Sequence, residues 1–149
     1  MAAKTFHCRV VTPAEKLVDG EVTYASVPAW DGLFGVLPNR APLLARLGMG
    51  ELKVAFADSG SGKGGERSFL VDGGFVKMAG NSLTILAERA VPAEQLRLSD
   101  AEAELAEANA RTVPADAPDA AAKQAAVRRE RERAALKVRM ARTVQSRGI

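Results

Sequence analysis

Two periodicities divide the chain. Over the first 90 residues, apolar positions recur every second residue in short runs, each closed by Gly, Pro, Asn or Asp. In KTFHCRVVTP, Phe6, Cys8 and Val10 share one face while Thr5, His7 and Arg9 share the other, the alternation of a strand covered on one side. Further strands are predicted at residues 21–29, 32–38, 42–47, 50–58, 66–74, 75–80 and 81–89. The glycine-rich stretch DSGSGKGGE, residues 58–66, has no apolar side chain and reads as a solvated hairpin loop. VDGGF, residues 71–75, reads as a bend that needs positive φ or close backbone approach. Many short strands with turns at intervals of about 8–12 residues predict a β-sandwich or flattened barrel.

After Val91-Pro92 the pattern changes. Glycine is absent until Gly148, and alanine dominates. Leu98, Ala101, Leu105, Ala108 and Thr112 step by three and four, a narrow helical stripe. TVPADAPDA then breaks the helix, and Asp116 or Asp119 can cap a second one over residues 120–144. Val127, Ala134, Val138 and Ala141 lie on one side of it. The short connection predicts an antiparallel hairpin. The fold class is therefore α+β: an N-terminal β-sandwich over residues 1–91 and a C-terminal antiparallel two-helix domain over 92–149. Stripes made mostly of Ala remove little area from water at roughly 25 cal/mol per Å², so the hairpin is predicted to dock weakly and to leave its resting position.

Charge sharpens this division. The net charge is only +3, but residues 119–149 carry nine bases against three acids, whereas residues 94–111 carry five acids against two bases. Arg128, Arg131, Arg139 and Arg142 cluster on the helical wheel, beside the row Arg129, Arg133 and Lys137. A solvated helix face is the ordinary reading of such a run. Arginine-rich crowding with few compensating acids also fits an acidic protein surface or a nucleic acid. Only seven aromatic residues occur in the chain and no stacking motif is present, which weighs against nucleic acid.

No catalytic constellation can be assembled. His7, the one histidine, sits among polar alternates of a strand, and Cys8 alternates with Phe6 and Val10 as a small core residue. GSGKGGE lacks the spacing of a phosphate loop. No metal-ligand spacing is found, and the N-terminus has no apolar signal core. An enzyme is thus the least supported class. One further stretch is unusual: DGLFGVLPNRAPLLARL, residues 31–47, is either an ordinary hairpin or a loop whose Leu33, Phe34 and Arg40 are exposed to be held by a partner.

VTP at residues 11–13, SVPAWDGLFGVLPNRAPLLARLGMGEL at 26–52, VDGGFVKM at 71–78 and NSLTILAERAV at 81–91 follow one another in an order and spacing that resembles the ε subunit of rotary ATP synthases, the counterpart of the mitochondrial δ subunit. The resemblance is close over residues 4–91, and the DGxFGVLPxxAPLL block is specific to that family. Residues 92–149 match in architecture and basic character. The resemblance implies a non-catalytic central-stalk subunit that binds the γ subunit and the ring of c subunits. Asp31, Gly32, Leu33 and Phe34 would correspond to the loop approaching the c ring, and Arg40, Ala41, Pro42 and Ala45 to the edge meeting γ. The family usually has Gly-His where this chain has Asn39-Arg40, so that contact would keep a donor but gain a permanent charge. Several bacterial members bind ATP through the pattern Ile/Leu-Asp-x-x-Arg-Ala. Here Leu96, Arg97, Leu98, Ser99, Asp100 and Ala101 stand at those positions with acid and base exchanged, so no nucleotide or other cofactor is predicted, though Arg97 and Asp100 are placed to pair. The implied mechanism extends the hairpin along γ, where Arg128, Arg129, Arg131, Arg133, Lys137, Arg139 and Arg142 would meet the β subunits and restrain ATP hydrolysis. A peripheral place on the cytoplasmic face of a bacterial membrane follows from the same resemblance. A nucleic-acid-binding role for the Arg-rich helix is the alternative.

Overall fold

The computed structural model describes residues 4–57 and 64–146, so most of the loop predicted at 58–66 lies outside the described residues. It divides into two compact units, Met1–Pro92 and Ala93–Ile149. Among the described residues the first contains seven strands: β1 (Phe6–Val11), β2 (Lys16–Ala29), β3 (Gly32–Val36), β4 (Leu43–Arg46), β5 (Met49–Phe56), β6 (Gly65–Ala79) and β7 (Ser82–Pro92). Neighbours run β1-β7-β6-β5-β2-β3, and β1 also pairs β2, so five strands close on themselves, with β3 and β4 added on β2 and β6. Only β1 and β7 are parallel among the named pairs. This is the expected β-sandwich. Its core is formed by inward alternates from every strand, with Phe6, Val10, Val22, Leu52, Phe69, Met78 and Ile85 all buried.

Two strands are longer than the sequence predicts. Residues 66–74 and 75–80 form the single strand β6, and β2 begins at Lys16, running through Asp19-Gly20. The turn residues bend these strands without ending them, because ladders continue on both sides. Against one edge of β6, β5 pairs as far as Asp72 and β4 takes over at Phe75. The break falls at Gly73 and Gly74, whose φ values are 78° and 121°. A Cβ on Gly74 would lie 2.0 Å from the Leu86 carbonyl oxygen, so both conditions inferred for VDGGF hold there.

Cys8 is a core residue. Burial pushes its thiol up to about 12, which leaves it protonated and inert at neutral pH. On the opposite face of β1, His7 and Arg9 lie across from Glu21 and Asp19 of β2. Lys16 Nζ donates to Asp19 Oδ2 at 2.8 Å, and His7 Nε2 lies 2.6 Å from Asp19 Oδ1. The Lys16 hydrogen bond is the largest influence on the Asp19 carboxyl; opposed by desolvation but joined by the His7 hydrogen bond and the charges of Lys16 and Arg9, it holds that group below its ordinary 3.8. A carboxyl depressed in the folded state stabilises above its unfolded pKa and loses that stabilisation as pH falls through the folded value. Asp19→Asn is therefore expected to unfold at lower urea than the parent at pH 6, with the gap closing as buffers are taken below the carboxylate range. A gap that persists at pH 2 would mean that the ladder contributes through packing instead.

The second unit is helical: a 3-10 turn at Ala93–Gln95, α1 (Leu98–Ala110) and α2 (Ala120–Ser146). Asp119 precedes α2 in a left-handed conformation, φ 56°, and its carbonyl accepts Lys123 N at 3.0 Å. Among the described residues the Asp119 carboxylate makes no capping hydrogen bond, so the predicted side-chain cap is not formed there. Ala101, Ala108, Ala134, Val138 and Ala141 are buried, as the two stripes predict, and Leu98, Leu105 and Val127 are half-buried, but Thr112 lies beyond the end of α1 and is exposed. Leu136 and Met140 are buried too, roughly 200° and 240° around α2 from Ala134 at 100° per residue, so this helix is covered on two sides.

Candidate functional site

The stretch at 31–47 resolves into a hairpin, a turn and an edge strand. β2 and β3 pair from Ala25↔Val36 to Ala29↔Gly32, leaving only Trp30 and Asp31 in the connection. The strand predicted at 32–38 is present as β3, so of the four residues that the resemblance placed in a loop only Asp31 lies in the connection, and alternation decides which side chains project. Leu33 is 70% exposed, whereas Phe34 packs against the core. The 37–42 segment carries no strand; Arg40 N donates to the Leu37 carbonyl at 3.3 Å, and Asn39 between them has φ 65°. Asparagine is one of the few residues besides glycine that tolerate this region. Arg40 is exposed with its guanidinium carbon 5.7 Å from the Phe34 ring centroid. Ala41 and Pro42 are exposed as well. Ala45 packs against the core, so β4 presents Leu44 and Arg46 instead.

Those two side chains border a surface that the alternation pattern does not single out. Arg46 pairs with Phe75, Phe75 with Leu86, and Leu86 with Val11, a row in register across β4, β6, β7 and β1. Leu44, Phe75 and Leu86 are each more than half exposed. Between them and the β1–β2 turn lies a groove of about 360 Å³ lined by Val11, Thr12, Pro13, Gly74, Phe75, Leu86, Ala87 and Glu88. Thr12 Oγ1 accepts from Ala14 N and Glu15 N, which fixes the turn forming its wall. Large apolar side chains standing in water beside an apolar groove mark a surface built to be covered. The available signal was the adjacent pairs Phe75-Val76 and Ile85-Leu86, apolar on both faces where a one-sided strand would alternate.

The basic helix is partly committed within its own unit. Lys137 Nζ meets Glu104 Oε2 at 2.9 Å, and Arg142 approaches Glu102 at 3.8 Å. Arg131 sends Nε to the Ala108 carbonyl at 3.1 Å and a terminal nitrogen to the Arg111 carbonyl at 2.6 Å. A cation placed there adds a donor to the Ala108 carbonyl, which also accepts Arg111 N, caps the Arg111 carbonyl beyond it, and favours the dipole of α1. Arg111 in turn bridges Glu107 and Glu130. The acidic first helix and the basic second one are therefore zipped together by charge. Arg128, Arg129 and Arg139 are exposed, and their side chains enter no hydrogen bond or ion pair among the described residues; Arg133 is half-buried. Arg97 and Asp100 do not form the pair that their spacing allows: Arg97 is the N-cap residue of α1, with its carbonyl accepting Ala101 N, and Asp100 lies exposed in the first turn. Among the described residues no group of acids, histidine and cysteine could hold a metal ion, and no helix is long and apolar enough to cross a membrane.

Residues 5–93 match the model of the ATP synthase delta/epsilon chain β-sandwich domain. An ATP synthase epsilon chain from Rhodopirellula baltica is 38% identical over 128 residues, which cover 85% of this chain and 94% of the relative. One from Jannaschia is 41% identical over 92 residues, covering 62% of this chain and 65% of the relative. The Euglena gracilis mitochondrial ATP synthase, solved as its OSCP, F1 and c-ring assembly, contains a chain of the same fold with TM-score 0.65 at 19% identity, covering 100% of this chain and 84% of that one. Because the family model takes in most of the chain and the Rhodopirellula alignment carries on into the helices, the chain belongs to the ATP synthase delta/epsilon chain family.

Proposed function

We propose that this non-catalytic central-stalk subunit joins γ to the c ring through its β-sandwich and restrains ATP hydrolysis through its helical hairpin. The row Arg46–Phe75–Leu86–Val11 with its groove carries the reading, since it leaves large apolar side chains in water beside an apolar groove. It adjoins β4 and the 40–42 segment, so γ is assigned to Leu44, Arg46, Arg40, Ala41 and Pro42, with Ala45 supporting them from beneath. Trp30, 71% exposed, and Leu33 stand at the tip and start of the β2–β3 hairpin, and with Asp31 and Gly32 they are assigned to the c ring, with Phe34 anchoring that hairpin in the core. The complex would place the chain peripherally on the cytoplasmic face of a bacterial membrane.

For the hairpin, two populations of cations have different duties. Arg128, Arg129 and Arg139 stand ready for an acidic surface on the β subunits. Lys137, Arg142 and Arg131 must first give up Glu104, Glu102 and the α1 carbonyls. Exposed pairs of this kind contribute only about 0–1 kcal/mol each, so exchanging them for partner acids leaves two states close in energy, as a switch requires. No nucleotide is part of this proposal. Truncation after Pro92, assembled into the complex, is expected to raise ATP hydrolysis at least about five-fold while leaving proton pumping coupled. Unchanged hydrolysis would remove the inhibitory role, and lost coupling would move that part of the function to the helices.

A further inference from the structure

The Leu37–Arg40 turn depends on a side chain far away in sequence. Asn81 is the second residue of the Gly80-Asn81 turn joining β6 to β7, where both residues have positive φ, 56° and 57°. Its Oδ1 accepts the Asn39 backbone N–H at 2.7 Å, and its Nδ2 donates to the Thr5 carbonyl at 2.9 Å. Its own carbonyl accepts His7 N at 3.1 Å. One exposed asparagine thus ties together the entry to β1, the β6–β7 turn and the segment between β3 and β4.

The bond to Asn39 does more than tether. Pro38 occupies the second position of the Leu37–Arg40 turn, with φ fixed near about −65° by its ring. Asn39 at the third position has φ 65°, which makes the turn type II. Types I and II differ by a flip of the central peptide. The N–H of that peptide belongs to Asn39, and its partner is Asn81 Oδ1, outside the turn. An external acceptor aimed at this N–H selects the flipped state. Without it, Asn39 can relax to an ordinary negative φ, and the chain leaves the turn in another direction. Arg40 is the next residue, and its position over Phe34 follows from that exit.

We infer that Asn81 is a positioning residue: by accepting the Asn39 N–H it holds the 37–40 turn in type II and so presents Arg40 and the segment leading into β4 to the rotor partner. The rotor part of this inference rests on the proposed function; the turn itself does not. Asn81→Gly keeps the positive φ of the β6–β7 turn at no steric cost while removing both side-chain bonds. Asn81→Asp keeps an acceptor for Asn39 but loses the donor to Thr5. A merely structural role through Thr5 would therefore affect the two variants alike, whereas positioning would separate them.

Amide hydrogen exchange at Asn39 in the isolated full chain, and affinity for a purified γ–c-ring assembly, make the test. Exchange at Asn39 is expected to quicken roughly ten-fold in Asn81→Gly and to stay near the parent rate in Asn81→Asp. Affinity should follow the same order, falling several-fold only in the glycine variant. Parental exchange at Asn39 in Asn81→Gly, or equal effects from both variants, would overturn the positioning role. Quickened exchange with undiminished affinity would overturn its link to the rotor. If the parent chain itself does not bind the assembly, the proposed function fails, and the exchange result alone decides what Asn81 does.

Discussion

Gly74→Ala is expected to cost the folded chain about 3 kcal/mol or more, a large share of the 5–15 kcal/mol that holds an ordinary domain together. Two effects act together. The backbone has φ 121°, a region that L side chains rarely adopt. The added Cβ would meet the Leu86 carbonyl oxygen at 2.0 Å, the Ala87 Cα at 2.9 Å and the Leu86 carbonyl carbon at 3.0 Å, all of them main-chain atoms of the paired strand. No rotamer change relieves a clash with backbone, so β6 and β7 must separate at the point where β4 replaces β5 along β6. Two other glycines isolate the components. Gly80 has φ 56° but open space around its missing Cβ, so Gly80→Ala should show the conformational part alone, about 1 kcal/mol. Gly20 has neither positive φ nor a neighbour within 4 Å, so Gly20→Ala should be near neutral or stabilising by a few tenths. Urea unfolding of the three variants checks the order. If Gly74→Ala proved no worse than Gly80→Ala, the close approach of β6 and β7 would be absent in solution.

The same glycines show what a sequence carries and what it withholds. Alternation in Phe6, Cys8 and Val10 locates β1 and its buried face, and VDGGF announces a backbone demand that the structure meets at Gly73 and Gly74. It does not announce that the strand survives the bend. That depends on ladders supplied by residues 43–56 and 82–92, and local composition cannot report distant pairing. The helices divide in the same way. Spacings of three and four mark the stripe of Ala134, Val138 and Ala141, but Leu136 and Met140 lie on another side, and their burial needs tertiary neighbours. Charge on α2 was legible as a total, yet Lys137 finds Glu104 at a separation of 33 residues and Arg131 finds carbonyls of another helix. Of the predicted contact residues, Leu33 and Arg40 project into water, whereas Phe34 and Ala45 turn inward because strand alternation assigns one face to each residue in turn. The resemblance located the segment; only the register sorted its side chains.

Phe75→Ala is expected to weaken binding to a γ–c-ring assembly by about 30-fold or more, the loss of about 2 kcal/mol that truncation of a central aromatic anchor brings. Phe75 sits in mid-row, between Arg46 of β4 and Leu86 of β7, and walls the apolar groove. Being 53% exposed, it contributes modestly to folding, so the thermal midpoint should move by only a few degrees while affinity collapses. Leu86→Asp should do at least as much, because covering the groove would then bury a carboxylate. Glu66→Ala provides the comparison. Glu66 is exposed at the other end of β6, where its cross-strand neighbour is Ala55 of β5, so its loss should change affinity less than about three-fold. Ionic strength separates the two kinds of contact further. Apolar burial survives 0.5 M salt, whereas contributions from Arg40 and Arg46 are screened over a Debye length that shrinks to about 3 Å at 1 M. The Phe75→Ala deficit should therefore keep its size as salt rises. Parental affinity in both Phe75→Ala and Leu86→Asp would show that the partner covers some other face of the sandwich, and a deficit that vanished with salt would show that charge, not apolar area, holds the rotor here.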